Sequence, residues 1–152
     1  MSSWELLIEN RVLTSGVAGW FVAQVLKTLI HAILTGRFQA ERLVGSGGMP
    51  SSHASTVCAM AAAALRVYGE GSFEFAITVM VAIIVMHDAM GVRLETGKQA
   101  KLLNEITAAF RNLEHTPFSG FSSEKLKEFV GHTPLQVLAG AILGILIGAF
   151  MP

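Results

Sequence analysis

Four apolar blocks alternate with polar segments along the chain, at about Val12 to Leu34, Ser52 to Tyr68, Phe73 to Met90 and Pro134 to Met151. A bilayer core takes roughly 20 mostly apolar residues as helix. The pattern therefore predicts an all-α integral membrane bundle of about four transmembrane helices, in one domain over residues 1–152. The blocks differ in kind. The second is rich in alanine and weakly hydrophobic, which suits the inside of a bundle, where small residues let helices approach closely. The third is strongly apolar until His87 and Asp88. The fourth, PLQVLAGAILGILIGAFM, sets Gly140, Gly144 and Gly148 at four-residue spacing. That stripe on one face suits close packing against another helix or a second copy of the chain.

The longest polar stretch, about residues 93–132, is expected to be interfacial. Leu103, Ile106, Phe110 and Leu113 recur at three- and four-residue spacing, which predicts an amphipathic helix from about Thr96 to Leu113, lying on the membrane surface or covering the bundle. EHTPFSGFSSEK reads as turn, followed by a short helix around Ser123 to Phe129.

Composition agrees with the pattern. Apolar residues make up 52% of the chain and charged ones 14%, and mean hydropathy is +0.55, too apolar for an ordinary soluble domain. The formal net charge is zero, so nothing points to nucleic acid as a partner. The single cysteine, Cys58, allows neither an intrachain disulfide nor a thiolate metal cluster. The first ten residues carry Glu5 and Glu9 without Lys or Arg, unlike a secretory signal, so the first block reads as a retained helix.

With four spans, Arg37, Arg42, Arg93, Lys98, Lys101, Arg111, Lys125 and Lys127 share one side, against Arg11 and Arg66 on the other. This bias predicts that both large loops are cytoplasmic. His53, at the start of the second block, Asp88 and Arg93, at the end of the third, and His132, just before the fourth, then fall at similar depth on that side. The stretch SGGMPSSHAS combines close-approach glycines with Ser51 or Ser52 as helix cap. Free amides and the helix dipole there favour an anion such as phosphate, although a plain cap beside an incidental histidine would look the same. In GHTPLQV, Thr133, Pro134 and Gln136 form a capping box, which leaves His132 unexplained. Gln24, Lys27 and His31 lie on one face of the first block. A lysine inside a span costs on the order of 2.5–3.5 kcal/mol, so Lys27 is expected to face the bundle interior or an aqueous cavity. Asp88, the chain's one aspartate, is expected to pair with Arg93 or Lys27.

Taken in order, AQVLK, SGGMPSSHAS, VMHDAMGVR, GKQAKLLN and LKEFVGHTPLQV resemble the divergent branch of the type-2 phosphatidic acid phosphatase superfamily, also described as acid phosphatase/vanadium-dependent haloperoxidase-related. The resemblance runs through nearly the whole chain. It implies a metal-independent, cofactor-free phosphatase that hydrolyses a lipid phosphate or pyrophosphate through a phosphohistidine. Carried over, PSSH at Pro50–His53 stands for the superfamily's P-S-G-H motif, with Ser52 in place of glycine and His53 as general acid. His132 stands for the nucleophile, and Gln136 lies where an orienting acid is expected. Asp88 is the alternative carboxylate for that role. Phosphate would be held by Lys27, Arg42, Arg93, Ser51 and Ser52, with Gln24 as a further orienting residue. The resemblance also implies a bacterial inner membrane, or an organelle membrane of bacterial origin. The spans are fewer than the six of the usual superfamily members, so a homodimer is one way to complete the site, with the Gly140/Gly144/Gly148 face as its candidate contact. An amide at position 136 favours the rival reading, a non-catalytic lipid-phosphate binder or transporter.

Overall fold

The computed structural model describes residues 3–43, 45, 48–113, 126 and 131–151. The described residues form an all-α membrane bundle. Its elements are α1 (Ser3–Glu9), α2 (Arg11–Thr35), a 3-10 turn (Ala40–Leu43), α3 (Ser52–Tyr68), α4 (Phe73–Met90), α5 (Val92–Leu113) and α6 (Pro134–Phe150). Two helical stretches are long and apolar enough to cross a bilayer, Arg11–Thr35 and the near-continuous Phe73–Ala109, and Pro134–Phe150 is a shorter apolar helix. The expected helix around Ser123 to Phe129 lies outside the described residues.

Local chemistry sets the helix starts. Asn10 caps α2 by accepting from the Leu13 amide, and Ser72 caps α4 by accepting from Phe75. Ser51 caps α3, and Thr133 with Gln136 closes a full capping box on α6, with Pro134 in its first turn. These side chains satisfy amides that a helix start leaves without partners. At the other end, α2 stops at Gly36, whose φ of 66° lies in the left-handed region.

The alanine-rich α3 is the centre of the bundle, and α2, α4 and α6 all pack on it. Its Ala54, Ala59, Ala63 and Ala64 are fully buried. The glycine stripe of α6 explains how closely the two helices meet. A Cβ added at Gly140, Gly144 or Gly148 would lie 2.3, 2.2 and 2.2 Å from the carbonyl oxygens of Ser51, Ser55 and Ala59. Both series advance by four, so α3 and α6 run parallel with their N-termini at the same end. The stripe is thus filled by α3 of the same chain, which leaves it unavailable as the dimer contact considered from sequence. On the other flank Gly19 of α2 brings its carbonyl to the Ser55 hydroxyl, which donates to it at 2.8 Å.

Most of α4 faces outward. Only 11% of its apolar window is buried, and Ile77, Met80, Val81, Ile83 and Ile84 are exposed. Such a surface is suited to lipid. Among the described elements α5 packs on α4 alone, so it does not cover the bundle they form. Leu102, Leu103 and Ile106 remain exposed on it, as a helix on the membrane surface requires.

Candidate phosphate site

The parallel start of α3 and α6 places two capped N-termini side by side. The Ser51 amide donates to the Gln136 carbonyl at 3.0 Å, tying one cap to the first turn of the other helix. Just before α6, the His132 amide donates to the Ala89 carbonyl at 3.0 Å, and Gly131 packs so tightly on the backbone of Leu94 that no side chain fits there. The α4–α5 corner therefore holds the backbone that carries His132. The imidazole is 1% exposed, and its ring centre is 5.9 Å from that of His53 in an edge-on arrangement.

His132 Nδ1 lies 3.3 Å from Gln136 Oε1, and the same oxygen accepts from the Thr133 amide at 3.1 Å. The Thr133 N–H can only donate, which fixes the oxygen rather than the nitrogen of the Gln136 amide toward both groups. Nδ1 must then carry the proton, and the lone pair falls on Nε2. Nε2 is buried and makes no hydrogen bond of ordinary geometry among the described residues. The capping box of α6 thus sets the tautomer of the adjacent histidine. Burial holds the His132 pKa below the ordinary histidine value; Lys27 and His53 push the same way, and the hydrogen bond to Gln136 and the backbone of Gly48 push against them. The ring is neutral at physiological pH, with its unshared pair directed into the protein.

Lys27 is 2% exposed. Its Nζ donates to Gln24 Oε1 at 2.8 Å, and at 3.4 Å to both the Gly45 carbonyl and Ser52 Oγ. Sequence spacing locates the Gln24 contact; the Gly45 carbonyl carries no such signal. Gly48, with φ of 85°, brings the loop against the Lys27 stem, where an added Cβ would lie 3.2 Å from Cγ. The lysine is thus walled in at the start of α3, and its charge acts on both His53 and His132. His53 is exposed, and the charges of Arg93 and Asp88 also reach it.

Asp88 and Arg93 form an ion pair with each other, with both side chains about half exposed. The group bonded to the His132 ring is Gln136, and the Asp88 carboxylate is held by Arg93. Ser51 is fully buried, and its side chain and amide are both engaged. That leaves the amides of Ser52 and His53 as first-turn N–H groups without a partner inside the helix. The side chain of Arg42 lies outside what the structure describes. His31, predicted on the Lys27 face, is half-buried, and its Nε2 has no hydrogen-bond partner among the described residues. The described residues hold no group of three or more His, Cys, Asp or Glu suited to a metal ion.

The arrangement is a cluster of a buried ammonium, a buried neutral imidazole, an exposed imidazole and two free helix-start amides. Each of these groups attracts or attacks a tetrahedral oxyanion. A family model described as "Divergent PAP2 family" matches residues 8–147. A membrane protein of Bacillus subtilis (strain 168), YuiD, is 35% identical over 147 residues, covering 93% of each chain. No solved structure matches the chain.

Proposed function

The chain belongs to the divergent PAP2 family, and from that premise we propose that it is a membrane phosphatase that hydrolyses a lipid phosphate or pyrophosphate. The observation that carries the proposal is the unpartnered, buried Nε2 of His132 beside Lys27 and His53. In the first step the Nε2 lone pair attacks phosphorus and the P–O bond to the lipid breaks. His53 gives its proton to the departing oxygen. In the second step His53 takes a proton from water, the water oxygen attacks the phosphohistidine, and inorganic phosphate leaves as the P–N bond breaks. Lys27 neutralises phosphate oxygens, Arg93 adds charge at the rim, and the Ser52 and His53 amides meet the charge that builds up in transit. Charge and positioning supply most of the catalysis in phosphoryl transfer. The charge bias of the loops favours the cytoplasmic leaflet for this end of the bundle.

Gln136 favours a second reading, a lipid-phosphate binder or transporter. An amide orients the imidazole but carries no charge to stabilise the imidazolium character of a phosphohistidine. Phosphate release from a panel of lipid phosphates by wild type and His132→Ala separates the two. The enzyme reading expects turnover that disappears in the variant. Binding of lipid phosphate without turnover in either protein selects the binder.

A further inference from the structure

Beyond His53 the facing sides of α3 and α4 part. Val57 and Met60, four and seven residues on, continue the face of α3 that carries His53. With Ile77, Thr78 and Val81 of α4 they line an open cavity of about 230 Å³. Thr78 contributes only its methyl group, because its hydroxyl donates within α4 to the carbonyls of Glu74 and Phe75. The lining therefore offers hydrocarbon and the thioether of Met60, with no strong hydrogen-bonding group. At about 1.5 Å per residue, Val57 and Met60 lie roughly 6 and 10 Å from His53 along the helix axis.

We propose that this α3–α4 groove holds the hydrocarbon chain of the phosphate substrate, so that the site takes a phosphate carried at the end of a single aliphatic chain. The inference rests on the phosphatase reading above and specifies its substrate class. Continuity supports the chain as occupant: groove and phosphate cluster share one face of α3, one following the other. Access supports it too, since Ile77 and Val81 are 46% and 41% exposed on the lipid-facing side of the bundle. Size limits the occupant. A cavity of about 150 Å³ accommodates benzene, so this one takes roughly nine carbons, a stretch of one chain.

The test uses the full chain in phosphatidylcholine nanodiscs with decylphosphonate, which cannot be hydrolysed, bearing a diazirine midway along its chain. After irradiation the labelled residues are mapped by mass spectrometry, with and without inorganic phosphate as competitor. The proposal expects label on Val57, Met60, Ile77 or Val81. It also expects that label to fall about tenfold when phosphate is present at ten times its Kd. Label in the groove that phosphate leaves unchanged means ordinary bilayer lipid fills it and overturns the proposal. Phosphate-sensitive label on other residues overturns the groove while leaving the phosphate site standing. If phosphate displaces no label anywhere and also fails to raise the melting temperature, the phosphate site itself is wrong, and the groove proposal falls with it.

Discussion

His132 and Gln136 share one oxygen with the backbone of Thr133, so the group that starts a helix also orients the proposed nucleophile. Glutamate at that position keeps the capping box and replaces a neutral hydrogen bond by a charged one. Charge-assisted bonds are about twice as strong as neutral ones, a gain of roughly tenfold in rate. Gln136→Glu is therefore expected to raise kcat for phosphate release and to move the acid limb of the pH–rate profile upward. Gln136→Leu loses orientation altogether, and kcat should fall on the order of 10²–10⁴. A rate unaffected by both substitutions would remove Gln136 from the mechanism. Lys27 makes a separate prediction. Phosphate at a hundred times its Kd should stabilise the wild type by about 2.7 kcal/mol, read as a rise in melting temperature. Lys27→Met should lose most of that rise. The residue types at this site are legible in the sequence: a lysine within an apolar block, and a histidine that a capping box leaves over. The Gly45 and Ala89 carbonyls that fix Lys27 and His132 are not, because a backbone group has no residue identity to read.

The packing of α6 on α3 sets the distance between the two helix starts that make the site. Gly144 meets the Ser55 carbonyl, with no room for a methyl group between them. Overpacking of this kind costs about 1–3 kcal/mol. Gly144→Ala is expected to lower the melting temperature in detergent and to reduce phosphate release together, because α6 cannot move outward without drawing His132 from His53. The same substitution at Gly71, where an added Cβ meets nothing, is the control and should change neither. Spacing alone reveals that the glycines form a face, and alanine content reveals that α3 is interior. Neither says that the two belong together, since a stripe with four-residue period fits a neighbouring helix and a second chain equally well. Parallel orientation follows from the span count, which makes α3 and α6 start on the same side, and the structure agrees. The extent of α5 also departs from periodicity: the helix begins at Val92, directly after Gly91, because its first turn continues from α4 instead of needing a cap of its own.

For the molecule as a whole, one buried imidazole links function, folding and pH. His132 is neutral in the folded chain and resists protonation chiefly through burial. The unfolded chain takes up that proton near the ordinary histidine pKa of about 6.5. Below that value the unfolded state binds more protons, so stability falls as the pH drops toward the folded-state pKa and is fully present above about 6.5. Thermal unfolding in detergent should accordingly show a melting temperature that declines on acidification, and a shallower decline in His132→Asn. The same depression keeps the proposed nucleophile unprotonated to lower pH, so the acid limb of kcat/KM that belongs to His132 should lie below about 6.5. The measurement that reaches the central claim most directly is a rapid quench of the enzyme with ³²P-labelled lipid phosphate, followed by mapping of the labelled residue. The account predicts acid-labile, base-stable label on His132, absent from His132→Ala, whose phosphate release is lost with it. Undiminished phosphate release by His132→Ala, or label on any other residue, would contradict it.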